Sequence, residues 1–200
     1  LRRAWRFAVG PASPRTLGMG TTRAAITLFV VVAALGPLYT VQGYSPIVNV
    51  ISELAAQNTP RNYVMTTAFV ALGAAIVYDG AKGFDRSILP FMLFGVAFGA
   101  AGLFGHKPIS DAVPYSVGLD AAHSALATTS GVALTVGFLW QAVIANSTGH
   151  KFISATLTIV CVALPLLMLN LPQYQGLLQR VMYLLVFAWL WAFYPHRAHA

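Results

Sequence analysis

The chain has 200 residues, of which 58% are hydrophobic and 8% are charged, and its formal net charge is +7. A soluble protein this apolar would expose more hydrophobic surface than a monomer tolerates, so the composition indicates an integral membrane protein. The positive charge does not point to nucleic acid, because many of the basic residues precede the first apolar stretch, where such residues set membrane orientation. We therefore expect membrane lipids as partners and no nucleic acid.

The start of the chain differs in character from the rest. Residues 1–23 are rich in arginine, contain no acidic residue and include Pro11 and Pro14, a composition unsuited to a packed core. We expect a basic N-terminal extension on the cytoplasmic side, followed by a transmembrane domain over 24–200. Organellar transit sequences share this composition, and Met19 is an alternative start, so an organellar membrane stays open as an interpretation.

Six apolar stretches follow, each close to the roughly 20 residues that a helix needs to cross a bilayer. Backbone amides inside a membrane must be satisfied within their own segment, so each stretch is expected to be α-helical. The short connections leave no room for a separate soluble domain. The sequence therefore predicts an all-α fold, a polytopic membrane bundle with six transmembrane helices at residues 24–42, 62–80, 87–105, 119–145, 152–170 and 177–194.

The connection after the first stretch is unusually apolar for a solvent-exposed loop. Within residues 44–54, Ile47, Val50, Ile51 and Leu54 recur at helical spacing. This pattern predicts a short amphipathic helix that lies in the membrane interface after the first span.

Basic residues are distributed unequally between the two sides of this bundle. With the N-terminus in the cytoplasm, only Arg61, Lys107 and Arg180 of the twelve Lys and Arg residues fall on the opposite side. Short cytoplasmic loops of membrane proteins carry an excess of such residues. We therefore predict that both termini are cytoplasmic.

Ionisable residues gather at the non-cytoplasmic ends of the spans. Asp120 and His123 are three residues apart, so they share one face of the fourth span. Arg180, near the start of the last span, is a candidate counter-ion for Asp120 or Glu53. The alternative to a functional role is an ion pair that only holds two helices together. Ionisable residues at membrane depth are costly and indicate a functional site by default. We predict an outward-facing polar pocket, with residues 44–54 as its lid, that is formed by Ser52, Glu53, Asp120, His123 and Arg180.

A metal site is one interpretation of these residues. Imidazole and carboxylate groups are zinc ligands, and His106, Asp120 and His123 supply both kinds. Glu53 or Asp111 would then act as a base or a further ligand. The sequence contains no HExxH motif and no cysteine pair, so the spacing is generic, and zinc is the one cofactor that it suggests.

Two other features are predicted to be structural. Asp79 and Lys82 lie one helical turn apart and are expected to form an ion pair. Gly95 and Gly99 form a small-xxx-small pair, which lets another helix approach closely, and we expect a helix of the same chain rather than one of a second copy.

Short motifs in several of these segments resemble those of one protein family. They are Tyr44-Ser45-Pro46, Ile51-Ser52-Glu53-Leu54, Gly102-Leu103-Phe104-Gly105, His123 and Gly176-Leu177-Leu178-Gln179-Arg180. Together they resemble the DUF998 family of small, mostly prokaryotic, six-span membrane proteins over residues 24–194. The resemblance implies the architecture, a prokaryotic inner or plasma membrane, and a gathering of the recurring polar residues on the non-cytoplasmic side. It implies no activity.

Three functions are compatible with the sequence. The first is binding, or chemical modification, of a lipid or another amphipathic small molecule in the outward-facing pocket. The second is a non-catalytic structural or accessory role against other membrane-protein subunits. The third, transport, is disfavoured because the cytoplasmic half of the bundle holds almost no ionisable residue beyond Asp79. Whether the protein is an enzyme is left open.

Overall fold

The structure is a computed structural model that describes residues 20–194, so most of the predicted N-terminal extension lies outside the described residues. Seven α-helices follow one another in this part of the chain, as α1 (Thr21–Ala34), α2 (Gly36–Tyr39), α3 (Asn62–Lys82), α4 (Leu89–Leu103), α5 (Val117–Ile144), α6 (Thr148–Asn170) and α7 (Gln175–Phe193). Three short 3-10 helices lie between them, at Ile51–Ala55, Arg86–Ile88 and Pro172–Tyr174. The described part of the chain contains no strand, which confirms the predicted all-α fold.

Within residues 20–194, five helical segments are long and apolar enough to cross a membrane. They are α3, α5 and α6, together with α4 and α7, each taken with the 3-10 turn before it. Their outer faces are apolar, and Val132, Phe152 and Leu169 are all more than half exposed. The chain is therefore a multi-pass membrane protein built as a polytopic helix bundle.

The helices pack in a closed ring. Each of α3 to α7 contacts its neighbour in the chain, and α1 contacts both α3 and α7. Aromatic rings fill the centre, where Phe69 lies 5.1 Å from Phe29 and 4.7 Å from Phe98 between ring centroids. Burial of such rings contributes a large share of the packing energy.

Glycines let α3 and α4 approach until their backbones touch. A Cβ added to Gly73 would lie 2.7 Å from the Cα of Gly99, and one added to Gly95 would lie 3.0 Å from the carbonyl oxygen of Gly73. The predicted small-xxx-small pair therefore packs against another helix of the same chain.

The first predicted span, 24–42, is not one continuous helix. It consists of the 14-residue α1, which already begins at Thr21, and the four-residue α2, which begins at Gly36. Pro37 has no N–H to donate into the preceding turn, so it favours a break here. Gly36 also packs against Leu54, because a Cβ at this position would lie 2.6 Å from a methyl carbon of Leu54.

A short helix does follow the first span, but it differs from the predicted interfacial one. It is a 3-10 helix limited to Ile51–Ala55, and Ile51 and Leu54 are buried in the core at 3% and 0% exposure. Ile47 and Val48 are exposed in a turn before it. The apolar spacing in this segment therefore reflects two environments. Some of the apolar side chains are buried against the helix bundle, and others are exposed where lipid can contact them.

The connections fall at two ends of the bundle. One end of the bundle carries residues 40–61, 104–116 and 171–174, and we call it the cap end. The opposite end carries residues 83–88 and 145–147, the start of α1 and the end of α7. All of the predicted pocket residues lie at the cap end.

At the opposite end, Asp79 has a different partner from the one that we expected. Its Oδ2 accepts the backbone N–H of Thr22 at 2.7 Å and so caps the start of α1. The Nζ of Lys82 lies 4.1 Å from the ring centroid of Tyr78 instead. The predicted pairing of Asp79 with Lys82 is therefore wrong, because a buried helix start competes for the carboxylate.

Candidate functional site

Arg180 closes one side of the cap end. Its Nη1 donates hydrogen bonds to the carbonyl oxygens of Pro46, Asn49 and Gly176 at 2.7, 2.9 and 2.9 Å. Its Nη2 donates to the hydroxyl oxygen of Tyr44. The guanidinium is thus bound by backbone oxygens and a phenol, and the predicted pairing of Arg180 with Asp120 or Glu53 is not formed.

The loop over Arg180 lies directly on the start of α7. The backbone N–H groups of Gly176 and Leu177 donate to the carbonyl oxygens of Val48 and Ile47 at 3.1 and 3.0 Å. A Cβ at position 176 would lie 2.6 Å from the carbonyl oxygen of Pro46. Only glycine at position 176 allows α7 to come this close to the loop. Because α7 starts so close, the side chain of Arg180, one turn later, can reach the carbonyl oxygens of the loop.

Glu53 stabilises the same loop from within. Its Oε2 accepts the backbone N–H of Val50 at 2.7 Å. Burial raises the pKa of Glu53 above its ordinary value, and the hydrogen bonds from Asn49 and Val50 and the positive charges of Lys107 and Arg180 oppose this only in part. The carboxyl group therefore has a structural role at the start of the 3-10 helix, and its charge is poorly solvated.

Gln57, which the sequence analysis did not single out, connects the loops of the cap end. Its Nε2 donates to the carbonyl oxygens of Gly105 and Ser116 at 2.7 and 3.1 Å, and its Oε1 accepts the N–H of Ser116 at 2.8 Å. Its own backbone N–H donates to the carbonyl oxygen of His106 at 2.9 Å. This amide holds the 104–116 loop in place.

His123 is buried, with 5% of its surface exposed, and its ring orientation is fixed. Its Nδ1 lies 2.8 Å from the carbonyl oxygen of Ala101 and 2.9 Å from that of Phe104. Carbonyl oxygens only accept hydrogen bonds, so Nδ1 carries the proton. In the neutral ring, Nε2 then has a lone pair.

His106 and Asp120 form a close pair beside this ring. The Nδ1 of His106 lies 2.6 Å from the Oδ1 of Asp120, which also accepts the backbone N–H of Lys107 at 2.8 Å. The rings of His106 and His123 stack, with centroids 5.1 Å apart and planes inclined by 23°. Neither Nε2 atom has a hydrogen-bond partner among residues 20–194.

The environment keeps His106 neutral. Burial lowers its pKa below the ordinary value of 6.5, the hydrogen bond to Asp120 offsets this only in part, and His123 and Lys107 lower it further. The side chain is still 19% exposed, and that of Asp120 is 21% exposed. The pair is therefore accessible from the surface at the cap end.

The structure does not support the zinc interpretation, which stays a prediction. Within the described part of the chain, no group of three or more His, Cys, Asp and Glu side chains is arranged to hold a metal ion. Asp120, expected as a ligand beside His106 and His123, is hydrogen-bonded to an imidazole and a backbone amide. Its role resembles that of a carboxylate that orients a histidine.

The site candidates thus form two groups. Asp120, His123 and His106 meet at the start of α5, whereas Glu53 and Arg180 belong to the loop against α7. The charge of Lys107 acts on both Glu53 and Asp120 and so connects the groups. Ser52 is 8% exposed, and its hydroxyl has no hydrogen-bond partner among the described residues. The convergence of all five in one pocket stays a prediction.

The comparisons with known proteins give a family and no activity. No curated protein and no solved structure matches the chain. One family model, described as "Protein of unknown function (DUF998)", matches residues 23–194. The match runs from α1 to the end of α7 and therefore includes both groups of site candidates. The chain belongs to the DUF998 family.

Proposed function

We propose that this protein binds a lipid, or a small molecule of similar amphipathic build, with the headgroup against His106 and His123 at the cap end. One observation carries the proposal. Two stacked imidazoles each use Nδ1 as a hydrogen-bond donor and leave Nε2 without a partner among the described residues. Two neighbouring acceptors at the end of a membrane bundle favour a ligand that brings donors.

The protonation state of the His106 ring determines which lipid headgroup can bind. The pKa of His106 is lowered, so at neutral pH its ring is uncharged and Nε2 only accepts hydrogen bonds. The neighbouring carboxylate of Asp120 adds negative charge, which favours a positively charged donor. A primary ammonium, as in ethanolamine, meets both requirements. Choline has the same positive charge but no N–H to donate, so it meets only one of the two requirements.

Arg180 and Glu53 act as positioning residues in this proposal. They hold the 44–54 loop against α7, and Gln57, which follows this loop in the chain, binds the segment that carries His106. The hydroxyl of Ser52 and the ammonium of Lys107 offer further contacts to the polar part of the ligand. This arrangement supports the 44–54 loop as a lid over the headgroup.

We also propose that the cap end faces away from the cytoplasm, in a prokaryotic inner or plasma membrane, with both termini cytoplasmic. Arg23, Lys82, Arg86 and Lys151 lie at the opposite end, which supports this orientation. In a Cys161→Ala background, a cysteine at Lys107 should react with an impermeant thiol reagent added outside, and one at Gly83 should not. Reaction at Gly83 alone would reverse the topology.

The binding proposal is tested with lipids that differ only in their headgroup. The purified protein is placed in nanodiscs of phosphatidylcholine that contain either added phosphatidylethanolamine or none, and its thermal unfolding is measured. Phosphatidylethanolamine should raise the melting temperature of the wild type and leave that of His106→Gln unchanged, because one hydrogen bond contributes about 1 kcal/mol. Asp111→Asn, a change at an exposed residue of the same loop, is the matched control. Equal melting temperatures in both lipids would contradict the proposal.

An accessory role is the second candidate, and one observation favours it. Ser124 and Thr128 lie one turn apart on the exposed face of α5, and their hydroxyls have no hydrogen-bond partner among residues 20–194. Gly131, further along α5, has open space where a side chain would be. Polar and small residues on a membrane helix favour association with another helix. Co-migration with a second protein in mild detergent, lost in Thr128→Leu, would support this role, and migration of the chain alone would contradict it.

A further inference from the structure

A groove between α6 and α7 lies at the opposite end of the bundle from His106 and His123. It has a volume of about 350 Å³, and Phe152, Ile153 and Thr156 of α6 form one wall while Leu185, Ala188 and Trp189 of α7 form the other. Ala188 is the smallest of the residues that line the groove. The groove therefore opens on the outer surface of two membrane-crossing helices.

The walls of this groove are apolar throughout. The only polar side chain of its α6 wall, Thr156, donates its hydroxyl to the carbonyl oxygen of Phe152 at 3.0 Å, so the hydroxyl is satisfied within the helix. Phe152 is 73% exposed and Leu185 is 44% exposed. In a bilayer these surfaces contact hydrocarbon, and a linear acyl chain fits a groove that runs between two helices.

The mouth of the groove, its end at the start of α6, lies next to a basic residue in the sequence. Lys151 is exposed and directly precedes Phe152, and it lies in the first turn of α6, where the helix dipole favours negative charge. The indole Nε1 of Trp189 is buried without a hydrogen-bond partner among the described residues, although its ring lines the groove. A phosphate at the mouth would be attracted by the positive charge of Lys151, whereas the indole N–H is buried away from the surface.

We propose that the α6–α7 groove binds one acyl chain of an anionic phospholipid, with its phosphate against Lys151. The charge at the mouth is the reason for choosing an anionic lipid over a transmembrane segment of another protein. This site is separate from the headgroup site at His106 and His123. The proposal for the groove therefore does not depend on the function proposed for the two histidines.

The test uses Trp189 as a reporter inside the groove. Trp5, Trp140 and Trp191 are replaced by Phe, and the protein is placed in phosphatidylcholine vesicles that contain equal mole fractions of chain-brominated phosphatidylglycerol or chain-brominated phosphatidylcholine. Bromine quenches indole fluorescence at short range. The anionic lipid should quench Trp189 more strongly than the zwitterionic lipid, and Lys151→Gln should reduce this preference about fivefold, the contribution of one surface lysine.

Two matched variants make the outcome decisive. Lys82→Gln removes another basic residue of the same end and should leave the preference unchanged. Ala188→Leu fills the groove and should reduce quenching by both brominated lipids. Equal quenching by the two lipids, a preference that survives Lys151→Gln, or quenching that is insensitive to Ala188→Leu would each overturn the proposal. Absence of quenching by either lipid would show that protein covers the groove and would overturn it as well.

Discussion

Asp120 accepts two hydrogen bonds on one oxygen atom, from the imidazole Nδ1 of His106 at 2.6 Å and from the backbone N–H of Lys107 at 2.8 Å. A single carboxylate at the start of α5 therefore fixes both the position and the tautomer of a residue in the preceding loop. The free face of that imidazole is its Nε2, which is the atom that the proposed function uses.

The first prediction concerns Asp120→Asn. Asparagine keeps an amide oxygen that can accept both hydrogen bonds, but it removes the negative charge that strengthens them and favours an ammonium ligand. We expect the free energy of unfolding to fall by about 1–2 kcal/mol, the range for a hydrogen bond to a charged group, and the stabilisation by phosphatidylethanolamine to disappear. Denaturant unfolding in nanodiscs measures both effects. Asp111→Asn should change neither, and a normal lipid effect in Asp120→Asn would contradict the role of the Asp120 charge.

The second prediction concerns Arg180→Lys. Lysine keeps the charge but cannot reproduce a fork that donates to Pro46, Asn49, Gly176 and Tyr44. We expect a loss of about 2–3 kcal/mol in stability and faster hydrogen exchange of the amides in residues 45–51. Arg61→Lys, also at the cap end, should exchange like the wild type. If the two variants exchange alike, Arg180 does not hold the loop.

The third prediction compares two glycines. A methyl group at Gly176 meets the carbonyl oxygens of Pro46 and Asn49, whereas one at Gly131 meets nothing within 4 Å. Gly176→Ala should therefore destabilise the protein and displace the loop. Gly131→Ala should be neutral or stabilise it by about 0.5–1 kcal/mol, the difference in helix propensity. Equal melting temperatures of the two variants would contradict the close approach of α7 to the loop.

The fourth prediction concerns the pH dependence of Glu53. Its folded-state pKa lies above the ordinary 4.5, so the folded state binds the proton more tightly than the unfolded state does. The wild type should lose stability relative to Glu53→Gln as the pH rises from 4.5 through the raised pKa. Glutamine keeps an oxygen that accepts the N–H of Val50. Thermal unfolding of both proteins across this pH range measures the difference, and a wild type whose stability relative to Glu53→Gln stays constant or rises with pH would contradict it.

The spans could be predicted from sequence because length and hydropathy decide them. The predicted spans at 62–80, 119–145 and 177–194 match α3, α5 and α7 to within a few residues. The break at Gly36 was missed, since it depends on the distant side chain of Leu54 as well as on Pro37. The burial of Ile51 was missed for the same reason, because helical spacing alone does not distinguish lipid from protein as the apolar partner.

The candidate site could be predicted only in part. The face that joins Asp120 to His123 follows from helical periodicity, but the partner of Asp120 comes from a loop fourteen residues earlier. Arg180 was expected to find a carboxylate, whereas it binds backbone oxygens that glycine at position 176 brings within reach. Gln57 acts through loop contacts that leave no periodic signal.

The central claim is that the Nε2 atoms of His106 and His123 accept hydrogen bonds from a lipid headgroup. Nitrogen NMR of histidine-labelled protein reports the protonation and hydrogen bonding of each ring nitrogen, and His106→Gln and His123→Gln assign the signals. We expect protons on both Nδ1 atoms, an unprotonated Nε2 of His106 at neutral pH, and a shift of both Nε2 signals when phosphatidylethanolamine is added to phosphatidylcholine nanodiscs. A protonated Nε2 of His106, or identical Nε2 signals in the two lipids, would contradict the account.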